Sequence, residues 1–393
     1  MTVRIAFTLI GGGKGTGGYN YLVNLVRVLL QHEPDRISPV LIVGVEDSDD
    51  EIAPFLAIPH LEIVRSPSLN RSHKSAALAA SLFWGVDPPF RRLLDQLRID
   101  VVFESAQFFG WRLRRPVIAW IPDFQHRHLP HMFTRRGYWR RELGFHAELA
   151  AGRTIMLSSE DAKQDCERFY PASRGRTKAV RFAVIPSDPP SQEMARDVAD
   201  SYGLPAHFVF MPNQLSKHKN HLLVLDALDL LRRQGRQVVV VSSGKQDDER
   251  HPDYFPMVLD RLNALNLHHE FRLLGMIPYP HVRALMCSSM ALLNPSLFEG
   301  WSTPVEEARG LGAQLLLSDL DVHREQAGDQ AQYFDRQSAA SLAEALQRLQ
   351  PLTDAAKAAR RVQAQEAVRL RVRQFAAEFV ALVSACVAGE RRQ

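Results

Sequence analysis

The stretch Asn294-Pro-Ser-Leu-Phe-Glu-Gly-Trp-Ser-Thr-Pro-Val-Glu-Glu-Ala-Arg-Gly-Leu-Gly312 decides how this chain is read. The apolar run Ala291–Leu293 leads into it and reads as a buried strand. A polar loop follows, and Thr303-Pro304-Val305-Glu306 opens a helix. Thr303 suits an N-cap, Pro304 suits the first helical position, and Glu306 three residues after the cap completes a capping box. Two carboxylates, Glu299 and Glu307, then flank a strand–loop–helix corner whose free N–H groups point outward. Such a corner holds anions.

Working outward, the same grammar recurs on both sides. Phe208–Met211 reads as a strand. The polar run Pro212-Asn213-Gln214-Leu215-Ser216-Lys217-His218-Lys219-Asn220 follows it, and then a helix bears Leu222, Leu223, Leu225, Leu228 and Leu231. Lysines placed between a strand and a helix add formal charge to an anion site. One lysine about 4 Å from a phosphate oxygen gains roughly 4 kcal/mol at an effective dielectric near 20, before desolvation. Further strands are expected at Val238–Val241, Phe271–Leu274 and Gln314–Leu317. Met276 and Ile277 stand at one of these strand ends, where a base would meet backbone groups. Upstream, Pro186-Ser187-Asp188-Pro189-Pro190-Ser191 has the composition of a linker.

In the first half, Arg4–Ile10 reads as a buried strand followed by Gly11-Gly12-Gly13-Lys14-Gly15-Thr16-Gly17-Gly18. A helix with Tyr21, Leu22, Leu25, Val28 and Leu29 on one face comes next. Glycine admits close backbone approach to phosphate oxygens, so strand, loop and helix make a phosphate cradle. Gly13, Gly15 and Gly18 satisfy the dinucleotide fingerprint, but its acidic partner comes late, at Glu46 or Asp47. The P-loop pattern fails because Lys14 precedes glycine rather than Ser or Thr. The bland alternative is a turn between strand and helix. Apolar runs at Val40–Val45, Leu61–Val64, Val101–Phe103, Val117–Ile121 and Thr154–Leu157 alternate with helical patterns. That alternation argues for an open parallel sheet with ligands beyond the carboxyl ends of its strands. Two such ends carry chemistry. Asp123 and His126 follow Val117–Ile121 and are candidate active-site groups, against the alternative of bystanders. Ser158-Ser159-Glu160-Asp161 follows Thr154–Leu157 and suits a helix start.

Between Arg91 and Arg141 arginines crowd, interleaved with Phe90, Phe108, Phe109, Trp111, Phe133, Tyr138 and Trp139. A basic aromatic surface of this kind suits anionic lipid or an anionic acceptor, and no nucleic-acid motif accompanies it. The alternative is a solvated face with ordinary ion pairs. Hydrophobic residues are 46% and charged ones 23%, ordinary globular usage, and the net charge of +4 is only mildly basic. The cysteines Cys166, Cys287 and Cys386 are far apart and outside metal spacing, which predicts a reduced cytoplasmic protein. No segment is read as a signal sequence or a membrane span. Val372–Val383 reads as an amphipathic helix that closes the chain.

Taken together, these motifs resemble the group 1 retaining glycosyltransferases, the family-four enzymes of the GT-B fold. Glu299 and Glu307, seven residues apart within Pro-Ser-Leu-Phe-Glu-Gly-Trp-Ser-Thr-Pro-Val-Glu-Glu-Ala, resemble the family's E-x7-E signature. Gly17-Gly18-Tyr19, Ser158–Lys163, Lys217–Asn220 and the run from Ser318-Asp319-Leu320 to His323-Arg324-Glu325 resemble its other ordered segments. The resemblance implies an α/β protein with two Rossmann-like domains facing across a cleft. They would be an acceptor-side domain at 1–187 and a nucleotide-sugar domain at 188–371, with a helix at 372–393 crossing back. By similarity, Glu299 meets sugar hydroxyls at the reacting centre and Glu307 meets the ribose. Lys219 neutralises the diphosphate, and Gly17, Gly18, Ser302 and Thr303 complete its cradle. Catalytic roles fall to Glu299, Asp123 and His126, and donor contacts extend to Gln214, Lys217, Met276 and Ile277.

The implied activity is metal-independent hexosyl transfer with retention, from a nucleotide diphosphate sugar (GDP-mannose-like or UDP-linked) to a bacterial surface glycan or lipid-linked acceptor. It needs no cofactor beyond the donor substrate and no nucleic acid. The expected location is cytoplasmic, peripheral to the inner membrane face. The sequence departs from the family in three places. Gln214 stands where arginine is usual, Pro122 precedes Asp123 where histidine is usual, and Trp301-Ser302 replaces an aromatic–glycine pair. Two other readings remain: a nucleotide-sugar-binding scaffold without catalysis, and an NAD-dependent oxidoreductase built on the first glycine loop.

Overall fold

The computed structural model describes residues 2–9, 17–105, 107–186 and 188–390. The glycine-loop positions Gly11 to Gly15, with Lys14, and the end of the first expected strand at Ile10 lie outside these residues. Two compact units emerge. One comprises Met1–Phe124, Arg135–Ile185 and Arg371–Gln393, and the other Gln125–Thr134 and Pro186–Leu370. Each is built on a parallel sheet.

The first unit holds seven strands: β1 (Val3–Thr8), β2 (Ile37–Val43), β3 (Glu62–Arg65), β4 (Val101–Glu104), β5 (Val117–Trp120), β6 (Thr154–Leu157) and β7 (Thr177–Ala179). Their order is β3-β2-β1-β4-β5-β6-β7. The central strands are buried along their length, with Ile5, Ala6, Phe7, Val102 and Phe103 fully enclosed. That is why they read as apolar runs rather than alternating ones. The second unit holds β8 (Val209–Met211), β9 (Val240–Ser242), β10 (Phe271–Leu273), β11 (Ala291–Asn294), β12 (Leu315–Ser318) and β13 (Ala331–Phe334), ordered β10-β9-β8-β11-β12-β13. Strand order reverses between β8 and β11, the crevice where open α/β sheets receive ligands.

Strands β7 and β13 were not expected. Each is an edge strand with a single neighbour, β6 or β12. Thr177-Lys178-Ala179 and Ala331-Gln332-Tyr333-Phe334 are short and polar because one side of each lies open. The run-of-apolars criterion fails at such edges.

The closing helix also exceeds its expected bounds. It runs continuously over Asp354–Glu390. By length and composition part of it qualifies as a membrane span, which corrects the sequence expectation that no segment does. From Val372 onward its buried apolar side chains pack within the first unit. Phe379 lies 6.3 Å from Phe7 and 6.0 Å from Phe103, ring centre to ring centre. Phe375 packs on Tyr21 and Phe182. The same unit corrects the basic aromatic face. Phe90 and Phe109 stack at 4.2 Å and are buried, so they belong to the core. Trp111 and Trp139 are exposed, as are Arg135, Arg136 and Arg140.

Candidate functional site

The site is assembled in the second unit at the carboxyl ends of β8, β11 and β12. Three buried polar residues terminate or follow apolar strands there. Asn213 follows β8, Asn294 ends β11, and Ser318 ends β12. Asn213 Nδ2 donates to Asn294 Oδ1 at 3.4 Å, across the point where strand order reverses. The loop after β8 makes a short 3-10 turn over Lys217–Lys219 and passes through Asn220, whose φ is +59°. Asn220 tolerates this left-handed conformation, and its amide donates to the carbonyls of Pro295 and Arg336. That anchoring ties the lysine turn to the loop after β11.

Lys219 therefore meets Glu299. Lys219 Nζ donates to Glu299 Oε1 at 2.6 Å, and the two side chains are only 13% and 10% exposed. Ser296 Oγ stands 2.7 Å from the same oxygen and 2.6 Å from Asn294 Oδ1, its one hydrogen shared between them, and Asn294 Nδ2 donates to Oε1 at 3.3 Å. All three donors converge on Oε1, and Oε2 has no partner among the described residues. Burial by itself pushes this carboxyl up. The positive charge of Lys219, joined by His323 and His218 once they are protonated at low pH, outweighs it and brings Glu299 down to about 2. Glu299 is thus an ionised acceptor at neutral pH and has no proton to give.

His323 lies beneath this pair, fully buried. Ser318 Oγ donates its single hydrogen to Ser296 O at 2.7 Å. His323 Nδ1, 3.0 Å from Ser318 O, must therefore be the donor on its side, leaving Nε2 as a buried acceptor without a partner among the described residues. Burial holds the imidazole below its ordinary value, and the ring is neutral.

The helix after β11 starts one residue earlier than its sequence implies. Ser302 is the N-cap, and the helix runs Thr303–Leu311. The expected capping box, Thr303 with Glu306, is absent. Ser302 Oγ accepts from Asn294 Nδ2 at 2.8 Å instead of capping the turn. Glu306 is buried and pairs with Arg309 at 2.8 Å. The N–H of Ser302 points at Gln326 Oε1, 3.4 Å away. The donors left at this corner are the N–H groups of Thr303 and Val305, which have no acceptor within the helix, and the Ser302 hydroxyl hydrogen. Pro304 brings no N–H.

One turn further on, Glu307 Oε1 accepts from Tyr279 Oη at 2.7 Å. Burial raises this carboxyl above its ordinary value, opposed by the Tyr279 hydrogen bond and the Arg283 charge. Met276 is exposed and Ile277 half-buried at the end of β10, on the same edge as Tyr279. Gln214 is exposed, its amide donating to Ser216 Oγ at 2.5 Å, and Lys217 is half-buried.

Thus Lys219, Glu299, Ser302 and Thr303 are brought together, with Lys217, Gln214 and Glu307 on the loops and helix turn around them. The remaining candidates lie elsewhere. Gly17 and Gly18 open the first-unit helix Gly17–His32. Asp123, also in the first unit, is paired with Arg141 at 2.7 Å. His126 is fully buried in the second unit, its ring 6.1 Å from Phe133. Among the described residues no cluster of His, Cys, Asp or Glu could hold a metal ion. Sequence reasoning missed Asn213, Asn294, Ser296, Tyr279 and Gln326. For the asparagines the available signal was a polar residue closing a wholly apolar strand.

Two parallel Rossmann-like sheets, with a polar, cationic crevice at the second sheet's switch point, define a protein of the GT-B fold. Solved structures share this architecture over their full length. HepE from Anabaena, in complex with UDP and glucose, matches at a TM-score of 0.69 and 16% identity, over 97% of this chain and 99% of that one. A glycosyltransferase from Rickettsia africae matches at 0.66 and 14%, over 98% and 97%. A sucrose-phosphate synthase from Thermosynechococcus elongatus matches at 0.64 and 15%, over 98% and 97%. No curated protein sequence matches the chain. Residues 201–367 carry the signature of the glycosyl transferases group 1. That match lies within the second unit, and over the full chain the likeness to the solved structures is one of fold.

Proposed function

We propose that the chain transfers a hexose from a UDP- or GDP-linked sugar to a bacterial surface-glycan or lipid-linked acceptor, working at the inner face of the cytoplasmic membrane. The observation that carries the donor half is the one-sided loading of Glu299. With three donors on Oε1, the unpartnered Oε2 is the acceptor for a sugar hydroxyl. The Lys219 ammonium has further N–H donors for a phosphate oxygen. The orphan N–H groups of Thr303 and Val305, with the Ser302 hydroxyl, supply fixed dipoles for the same diphosphate. Glu307 is the acceptor for the ribose. UDP-glucose is the first donor to test, since an Anabaena protein of the same fold binds it. Arg135, Arg136, Arg140 and Trp139, exposed on one helix of the first unit, support an anionic or membrane-borne acceptor.

The chemistry follows from the charges. The bond from the anomeric carbon to the donor phosphate oxygen breaks, and negative charge accumulates on the diphosphate. Lys219 and the helix start stabilise that charge as it develops. The acceptor hydroxyl bonds to the anomeric carbon on the face being vacated. Its proton passes to the departing phosphate oxygen, since Glu299 is already ionised and hydrogen-bonded. Retention of configuration results.

Titration calorimetry with UDP- and GDP-hexoses, paired with an assay of donor hydrolysis, tests this reading. At least one donor is expected to bind and to turn over slowly without acceptor. Lys219→Ala should weaken binding and slow hydrolysis by roughly ten- to a hundredfold, the scale of one charged hydrogen bond. Failure of every nucleotide sugar to bind would overturn the proposal. Undiminished activity of the variant would remove Lys219 from it.

A further inference from the structure

The first unit displays an aromatic surface that holds none of the donor-site residues described above. The helix Lys74–Phe83 turns Lys74, Leu78 and Leu82 outward at four-residue spacing, and Phe83 and Trp84 continue the face. Phe83 is 84% exposed and Trp84 68%. Large apolar side chains so open are unusual, and contiguous ones mark a contact.

The surface is held rigidly. Gly85, at φ +81°, and Gly110, at φ +94°, press together so closely that a Cβ on Gly110 would stand 2.2 Å from the Gly85 carbonyl oxygen. A Cβ on Gly85 would lie 2.8 Å from Trp111 Nε1, so the Trp111 indole sits against the turn that carries Trp84. The Arg112 N–H donates to Gly85 O at 2.7 Å and locks the two turns. Beneath them, buried Glu104 accepts the Phe109 N–H at 2.9 Å, and Arg153 bonds both Glu104 and Gly110 O. Two tryptophans and a phenylalanine are thereby presented side by side at little entropic cost.

We propose that this surface inserts into the interface of an anionic lipid bilayer. Three features select that occupant. Tryptophan beside leucine and phenylalanine suits the headgroup–acyl boundary, whereas a glycan stacks on flat rings and gains little from leucines. Lys74 and Arg112 have no carboxylate partner among the described residues, and residues 74–86 and 107–115 contain no acid. The next acid along the chain, Asp87, is buried and caps the following helix, and Glu46 is taken up by Ser72 and the Arg71 N–H. A two-fold dimer through the same patch would set these cations against their own copies. The inference rests on the membrane location proposed above and is independent of which donor the second unit takes.

Cosedimentation of the full chain with vesicles tests it. Vesicles containing phosphatidylglycerol should bind the protein and phosphatidylcholine vesicles should bind it less, with tryptophan emission shifted to the blue on binding. Phe83→Ala combined with Trp84→Ala should lower vesicle partitioning about tenfold or more, given the apolar area withdrawn, and leave donor hydrolysis unchanged. Equal partitioning of the native and doubly substituted chains would overturn the proposal. So would loss of a concentration-dependent dimer, or of binding to a soluble oligosaccharide, in place of loss of vesicle binding.

Discussion

At Glu307 the chemistry turns on one hydroxyl. Burial lifts this carboxyl above its ordinary value, and Tyr279 works against that by donating to Oε1. The direction sets the pH dependence. As pH falls, Glu307 takes up its proton earlier than an exposed glutamate does, and a protonated carboxyl accepts ribose hydroxyls poorly. Donor affinity should therefore decline on the acid side while turnover at saturation holds. Tyr279→Phe removes a group that keeps Glu307 ionised, so the acidic limb of the affinity profile should move to higher pH and KM for the donor should rise several-fold below it. Plots of KM and kcat against pH for both proteins decide this, and superimposable profiles would show that the hydroxyl does not act through Glu307. Glu299 has the opposite sign. Held down at about 2 by Lys219 and its neighbours, it stabilises the folded unit above the ordinary glutamate range, and that contribution disappears as pH falls toward 2. The two glutamates were legible in the sequence through their spacing. Their different electrostatics were not, because Lys219 comes from a distant loop and Tyr279 from another strand's end.

The helix Thr303–Leu311 shows at the scale of an element where local pattern and tertiary contact part. Thr303 and Glu306 satisfy a capping box as written, but the fold spends the Ser302 hydroxyl on Asn294 and the Glu306 carboxylate on Arg309. Its other end was readable only as a glycine after a helix. The structure gives Gly312 two duties. It ends the helix at φ +73°, and it admits the backbone of Arg360, since a Cβ would stand 2.9 Å from the Arg360 carbonyl. Gly203 separates the two effects, with φ +61° and open space around it. Gly203→Ala should cost about 1 kcal/mol from backbone conformation alone. Gly312→Ala should cost about 3 kcal/mol, adding displaced backbone to the same strain. Thermal unfolding of the two variants ranks them, and equal melting temperatures would mean that the close approach carries no cost. Central strands were legible because burial on both sheet faces leaves continuous apolar runs. Edge strands β7 and β13 were not, because exposure lets Lys178 and Gln332 interrupt the run.

Over the whole molecule, the helix Asp354–Glu390 is the element whose sequence least foretold its use. Its residues up to Leu370 belong to the second unit and those from Arg371 to the first. In the second unit Arg360 donates to Gly312 O and Gln365 to Gly310 O. In the first, Val372, Phe375, Ala376, Phe379, Val380 and Val383 are buried, with Phe379 against Phe7 and Phe103 of the two central strands. Each phenylalanine contributes about 2 to 3 kcal/mol by its burial, so the last turns supply a share of the first unit's stability comparable to the whole margin of an ordinary domain. Removing residues 371–393 should therefore loosen the first unit and spare the second, whose switch-point crevice is complete without them. The shortened chain should lose protease resistance within residues 17–185. It should keep the donor-induced thermal stabilisation of residues 186–370, provided that the native chain shows it. Cleavage mapped by mass spectrometry, alongside melting curves with and without UDP, reads both outcomes at once. A first unit as resistant as in the native chain would mean that its sheet is stable without the helix. Loss of the UDP response with the second unit still folded would mean that the last turns act on the donor site as well.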